Sequence, residues 1–289
     1  MIRIASLVAC LPVLLATPAI AATVTVPAKA QPESITVVPN GDLILGSAGS
    51  AKIYRAKKGA TSADVFIDAG SEGNVTFLGM LADGASNTLW ACQIAATPPN
   101  TPRHSTLRSF DLGSGAPGRV HWDLPGEQNL CNDFVVGPDK ALYVSDTSGA
   151  KIWRLAPGTT TPELWLEDRT LNGIDGITFL NGVMYENNVV FNKIYRVPVD
   201  ANGKPGRPVD IWTDKPIKGP DGMRAAGNKL FLTENAAGKV DAVTIDGDTA
   251  HITVLQTGLG TPTAIEPAGD TLWYGERSND RASSMPLPQ

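Results

Sequence analysis

Six segments of the chain repeat one plan: a short apolar strand, a turn bearing Gly, Asn or Asp, and a second apolar strand closing on a polar residue. They begin at residues 34, 77, 133, 176, 222 and 263, so successive starts lie 43, 56, 43, 46 and 41 residues apart. That period suits a four-stranded propeller blade, with an insertion in the second unit. A third strand recurs as Lys52-Ile53-Tyr54-Arg55, Lys151-Ile152-Trp153-Arg154 and Lys193-Ile194-Tyr195-Arg196, whose alternation predicts a half-exposed strand. Outer strands are expected at 64–68, 120–125, 163–167, 209–213 and 251–256. The sixth unit, ending over 281–288, lacks one; residues 23–29 supply it and put both termini in one blade. No segment carries a sustained 3.6-residue apolar period, so no helix is expected beyond the first 21 residues. The expectation is all-β: one domain over residues 22–289, a six-bladed β-propeller of four-stranded antiparallel blades, its ring closed by an N-terminal strand.

Residues 1–21 read as an export signal. Arg3 gives a basic start, residues 4–20 are almost entirely apolar, and Ala19-Ile20-Ala21 is a small-x-small cleavage pattern. The mature chain is therefore expected to be periplasmic or secreted. No membrane span is expected, because no later stretch nears the ~20 apolar residues such a helix needs. With 24 Lys+Arg against 29 Asp+Glu the formal charge is −5, which argues against a nucleic-acid partner. A monomer acting on a small-molecule substrate is expected. Export leaves Cys92 and Cys131 in an oxidising compartment, where a disulfide and a pair of small buried hydrophobes are both open readings.

Propeller topology turns the repeat into a site. The innermost strand lines the channel and the next runs antiparallel, so strand-one starts and strand-two ends share one face of the disc. The starts carry Glu33, Asn132, Asp175 and Asp221, each 9 or 10 residues before an apolar residue of strand two: Leu43, Leu142, Met184 and Leu230. The strand-two ends carry Asp146, Glu186, Glu234 and Glu276, with Asn187 and Asn235 beside two of them. Like charges converging on one opening destabilise one another unless protons or a cation intervene. Oxygen donors without Cys or His suit a hard cation such as Ca²⁺. Asp and Asn also serve as plain turn residues, but the shared register of four favours the cation.

Pro32-Glu33-Ser34-Ile35, Asn132-Asp133, Leu171-Asn172-Gly173-Ile174-Asp175 and Gly219-Pro220-Asp221-Gly222-Met223 occur in that order. The series resembles the SMP-30/gluconolactonase/LRE-like family of six-bladed, calcium-dependent lactone hydrolases, and the Pro-Asp-Gly-Met piece is its most distinctive part. The resemblance runs over nearly all of the mature chain and is firmest over 132–276. It implies that Glu33, Asn172 and Asp221 bind a divalent metal, with Asn132 near metal and substrate. By identity Asn172-Gly173 matches the family's Asn-Gly motif, and by register Asp175-Gly176 does, so Asn172 and Asp175 both stand as ligands. Ca²⁺ is the expected ion, with Zn²⁺ and Mn²⁺ as alternatives. Asp221 is expected as general base and Asn132 as a residue that orients substrate or holds the oxyanion. Glu186 and Glu234 are candidate substrate contacts.

One departure bears on substrate. The family's lactonases commonly carry an arginine two residues before the asparagine of Asn-Asp, and Leu130 stands there. A sugar lactone loses a polar anchor, and a less polar lactone or ester gains. The insertion over 93–108 follows a second strand and is expected to project over the same face, as a flap or as a plain surface elaboration. As a flap it makes Arg103 and His104 substrate contacts. A Ser-His-Asp plan is not expected, because His104, His121 and His251 fall in that insertion and on two outer strands. The competing class is a non-catalytic propeller that binds a ligand or protein around a structural ion.

Overall fold

We describe residues 21–73, 75–95 and 104–288 of a computed structural model. The segment expected to be an export signal (1–21) falls almost wholly outside the described residues, as does Arg103. Each repeat folds as the period predicts. In the first unit, Pro32–Val37, Leu43–Ser47, Lys52–Ala56 and Asp64–Asp68 pair in sequence order as an antiparallel meander. The second strand, Leu43–Ser47, is buried along its whole length, whereas Asp64–Asp68 is exposed or half-buried, so the meander is dry inside and wet at its edge. Among the described residues the only helices are three single turns, Gly70–Glu72, Arg169–Leu171 and Arg277–Asn279. None is long and apolar enough to cross a membrane.

Among the described residues the strands form five sheets, four of them four-stranded and one eight-stranded. In the large sheet two antiparallel meanders join through parallel pairing of Val209–Thr213 with Thr249–Gln256, at Trp212↔Thr249 and Thr213↔Ala250. The six repeats are thus present as meanders without being six separate sheets. Their inner strands Pro32–Val37, Val75–Asp83, Cys131–Val136, Ile174–Leu180, Pro220–Ala226 and Pro262–Ala268 each pack beside the next, and the last packs back against the first. This propeller-like ring is closed by Thr23–Thr25, which pairs antiparallel with Arg281–Pro286 as the fourth strand of the last unit. Asp280 locks the join. Its carboxylate accepts the backbone N–H of Lys29 at 2.7 Å and of Gln31 at 2.8 Å, some 250 residues away in sequence.

The apolar core lies between neighbouring units. Ile44 and Ile53 of the first unit pack with Phe77, Met80 and Leu89 of the second, all buried. Leu180, Tyr185 and Ile194 of the fourth pack with Met223, Leu230 and Leu232 of the fifth. Burying each such side chain stabilises the fold by roughly 1.5–3 kcal/mol. The Lys-Ile-aromatic-Arg strands are more buried than simple alternation predicts, because Ile53 with Tyr54 and Ile152 with Trp153 are consecutive buried pairs. In both, the register to the outer strand shifts between the two residues, so a bulge turns both inward. The flanking charges hold edges and turns. Lys52 pairs with Asp68 on the outer strand, and Arg55 pins Asp42 in the first turn of its unit. Cys92 and Cys131 are disulfide-bonded, which decides between the two cysteine readings and ties the second unit to the inner strand of the third.

Candidate axial site

Every inner strand breaks register once, near its start. The shifts fall between Pro32 and Ser34, Phe77 and Met80, Cys131 and Phe134, Ile174 and Ile177, Pro220 and Met223, and Pro262 and Ala264. A bulge removes its residues from the ladder and re-aims their side chains. The residues freed are Glu33, Leu78-Gly79, Asn132-Asp133, Asp175-Gly176, Asp221-Gly222 and Thr263. Of these, Glu33, Asn132, Asp133, Asp175, Asp221 and Thr263 line one axial cavity, together with Arg224. The second bulge residue is glycine where the next inner strand presses in. A Cβ on Gly176 would lie 2.6 Å from the Asp221 carbonyl oxygen, and one on Gly222 would lie 2.7 Å from that of Thr263. Asp-Gly here serves close approach of two backbones; neither pair is a hairpin turn.

The cavity is narrow, with about 20 Å³ open to the centre of a water-sized sphere. That is room for one water or one monatomic ion. Asn132 Nδ2 donates to Asp175 Oδ2 and to Thr147 Oγ1, both at 3.0 Å. Asn235 Nδ2 donates to Asp221 Oδ2 at 2.6 Å, and Asn187 Nδ2 donates to the Asp221 carbonyl at 2.5 Å. Arg277 Nη1 lies 3.2 Å from Glu33 Oε2, an ion pair whose geometry leaves that buried oxygen without a hydrogen bond. Burial pushes the Asp175 carboxyl well above its ordinary range, and the Glu33 and Asp133 carboxylates push it further. Burial, Asp175 and Glu33 do the same to Asp221. Glu33 is raised by burial, with Arg277 offsetting part of the shift. These are the marks of a cluster that favours a proton or a cation.

Below the mouth an ion pair crosses the axis. Arg224 of the fifth unit donates from Nη1 and Nη2 to the two oxygens of Asp133 in the third, at 2.6 and 2.8 Å. Its Nε reaches Glu266 of the sixth at 3.3 Å, and Asp133 Oδ2 also accepts the Ile177 N–H. Sequence reasoning missed Asp133, Arg224, Glu266 and Arg277. Asp133 was legible as the second residue of the Asn-Asp pair, and Arg224 by strand alternation two residues after Gly222. The Arg277–Glu33 contact joins residues far apart in sequence and left no local signal.

Other predicted positions lie elsewhere. Asn172 is exposed and ends the turn Arg169–Leu171, and its carbonyl accepts from Asn188 Nδ2 at 2.9 Å. Of the Asn172/Asp175 pair, it is Asp175 that lines the cavity. Glu186 is fully buried off the cavity, neither carboxylate oxygen has a hydrogen-bond partner, and burial pushes its pKa well up. Glu234 accepts the Lys218 N–H at 2.5 Å and pairs with Lys239 at 3.4 Å. Asp146 accepts from Leu130 N, and Glu276 accepts from Gly260 N. Asp146, Glu234 and Glu276 thus clamp the loop that precedes their own inner strand, while Asn187 and Asn235, one residue beyond Glu186 and Glu234, support Asp221. His104, His121 and His251 are exposed, and none lines the cavity.

Among the described residues, no group of three or more His, Cys, Asp or Glu side chains is spaced to hold a metal ion. The donor chemistry nevertheless fits a hard cation: three mutually repelling carboxylates, a buried Glu33 oxygen without a donor, and no nitrogen or sulfur ligand.

No family model matches the chain, and no curated protein matches it. Solved structures do. A gluconolactonase from Xanthomonas campestris superposes with a TM-score of 0.66 at 16% identity, covering 90% of this chain and 86% of that one. A calcium-binding protein, regucalcin, from Agrobacterium tumefaciens gives 0.63 at 19% identity over 91% and 95%. Virginiamycin B lyase from Staphylococcus aureus gives 0.64 at 15% identity over 93% and 99%, and replacing one of its histidines by alanine makes it catalytically inactive. At these identities the likeness establishes a shared propeller-type fold.

Proposed function

We propose that this is an exported hydrolase of lactones or related esters, working at the axial cavity with a divalent cation, Ca²⁺ by preference. The observation that carries the reading is the convergence of Glu33, Asp175 and Asp221 on one cavity with room for a single ion or water. Glu33, Asp175 and the Asn132 side-chain amide oxygen would hold the cation, with Asp221 beside it. Bound there, it would supply polarisation of the ester carbonyl and a more acidic water. Asn132 spends both amide hydrogens on Asp175 and Thr147, and the opposite amide orientation would set its oxygen against a carboxylate. Its Oδ1 is therefore the atom left to accept or coordinate, and Asn132 orients the site instead of donating to an oxyanion.

Asp221 is the base. Asn235 occupies Oδ2 and leaves Oδ1 to take a proton from water as the water oxygen bonds the carbonyl carbon. The ring C–O bond then breaks, the proton passes to the departing oxygen, and a hydroxy acid leaves. Support for a less polar substrate comes from the rim: Val190 and Phe191 are 60% and 49% exposed on the loop after the fourth unit's second strand. Val190 abuts Gly173, which bonds to Thr147, whose own N–H bonds to Leu130. Lyase chemistry that rests on a histidine finds none at this cavity.

The deciding experiment is a pH-stat assay of sugar, aliphatic and aryl lactones, after chelation and with Ca²⁺, Mn²⁺ or Zn²⁺ restored. Metal-restored turnover favouring aliphatic or aryl lactones is expected. The unfinished spacing of the carboxylates favours one other reading, a binding propeller with a structural ion. Metal-dependent thermal stabilisation without turnover on any lactone would establish that reading in place of the first.

A further inference from the structure

A second, larger cleft opens between the second and third units, on the face opposite the axial mouth. It measures about 460 Å³ and is built from the turns that follow each unit's first and third strands. One wall is aromatic, from Trp90 and Phe110 of the second unit; the other is aliphatic, from Val136, Leu142 and Leu155 of the third. Such a volume, apolar on two sides with a few polar groups at the rim, is that of a small-molecule site.

The rim carries two carboxylates, Asp83 and Asp111, and two cations, Arg119 and Lys140. Asp83 is already taken by Ala85 N, Ser86 N and the Ser86 hydroxyl, and Asp111 by Asn87, Gly113 and Ser114. Thr159 donates to the Ala156 carbonyl. The side chains of Arg119 and Lys140 are exposed and make no hydrogen bond or ion pair with a described residue. The Trp90 Nε1–H, buried at the aromatic wall, has no acceptor. Both carboxylates keep their charge, but their oxygens are committed to turn donors, and the groups left without a partner are all donors: the two cations and the Trp90 Nε1–H. We propose that this cleft binds a small amphipathic organic anion, a carboxylate on a flat apolar body. The ring would lie between Trp90/Phe110 and Leu142/Leu155, with the carboxylate between Arg119 and Lys140. The proposal is independent of what happens at the axial cavity.

The probe is 2-naphthoate, titrated calorimetrically into the full mature chain beside neutral 2-naphthylmethanol. Saturable one-site binding of the anion is expected, weakened about tenfold or more in the Arg119→Gln/Lys140→Gln double variant, the scale of a lost charge-assisted contact. Both substitutions lie on exposed side chains, and an unchanged melting temperature confirms that the variant is folded. Asp221→Asn should leave naphthoate affinity unchanged, because the two sites lie on opposite faces. Equal affinity for the alcohol and the anion would overturn the proposal. So would full affinity in the double variant, no saturable binding at all, or loss of binding in Asp221→Asn, which would place the anion in the axial cavity.

Discussion

Replacing Arg224 by Met tests whether the ion pair across the axis holds the ring together. Among the described residues the guanidinium is the one cation paired with Asp133 and Glu266, and the three side chains are only 12%, 10% and 14% exposed. Met matches the stem but leaves two buried carboxylates unpaired. Breaking a buried pair from one side costs about 3–5 kcal/mol. For a domain of this size that is a fall in melting temperature of roughly 6–20 °C. Arg224→Lys should recover part of it, since a lysine keeps the charge and loses the two-pronged fit to Asp133.

The pH dependence supplies the internal check. Burial already raises Glu266, with Arg224 opposing it, so removing Arg224 must raise the folded-state value further. A group whose folded pKa is raised contributes stability below its unfolded value and loses that contribution as pH climbs through the folded value. The deficit of Arg224→Met should therefore be largest at neutral pH and shrink as the solution is acidified towards the ordinary glutamate range near 4.3. Thermal melts of both variants between acid and neutral pH measure this directly. A loss below about 1 kcal/mol at pH 7, flat with pH, is the size of a solvent-screened surface pair and would refute a dry cross-axis contact.

Three further outcomes follow from the same geometry. Gly176→Ala should destabilise by about 1–3 kcal/mol and weaken cation binding, because its Cβ meets the Asp221 carbonyl and Met223 N at 2.6 Å; denaturant melts and Ca²⁺ titration read the two effects. Reducing Cys92–Cys131, which closes a loop of 39 residues, should cost about 4 kcal/mol on the chain-entropy estimate, seen as a lower denaturant midpoint. For Asp42, burial alone would raise the pKa, but the Lys58 N–H, Lys57, Arg55 and Asn40 outweigh it and hold it at about 2. Its contribution is present above the unfolded value near 3.9 and lost as pH falls towards 2, so Asp42→Asn should flatten that acid limb in circular-dichroism titrations.

What the sequence disclosed, and what it hid, follows from the range of the interactions. The repeat was legible because every unit must bury the same strand faces, so apolar spacing recurs whatever the loops do. Outer strands such as Asp64–Asp68 and Glu163–Glu167 fall where composition put them, and the closing strand was visible as a unit one strand short. The register of Glu33, Asn132, Asp175 and Asp221 was readable for a reason that the sequence did not display: all four occupy the same bulge. The strand-two acids misled because alternation after a fully paired strand is unforgiving. One residue separates Glu234, clamping Lys218 N, from Asn235, supporting Asp221. Contacts such as Arg277–Glu33 depend on the ring closing and have no local signature.

The repeated bulge also explains how one architecture can carry a site on part of its ring. Bulge residues contribute no ladder pairing, so their side chains can change with little effect on sheet hydrogen bonding. The ring uses that freedom unevenly. Units one, four and five place Glu33, Asp175 and Asp221 on the axis and unit three places Asn132-Asp133, whereas unit two offers Gly79 and unit six Thr263. Carboxyl groups thus gather on four of the six positions, and Arg224 crosses beneath to pair with that of Asp133. An added carboxylate at Thr263 should then tighten cation binding at the mouth, since it joins the same cluster without disturbing a strand pair. Ca²⁺ calorimetry on Thr263→Asp measures this. Weaker binding in a variant that melts normally would mean that the axial carboxylates do not act together on one ion, and the reading of the mouth as a single cation site would fall.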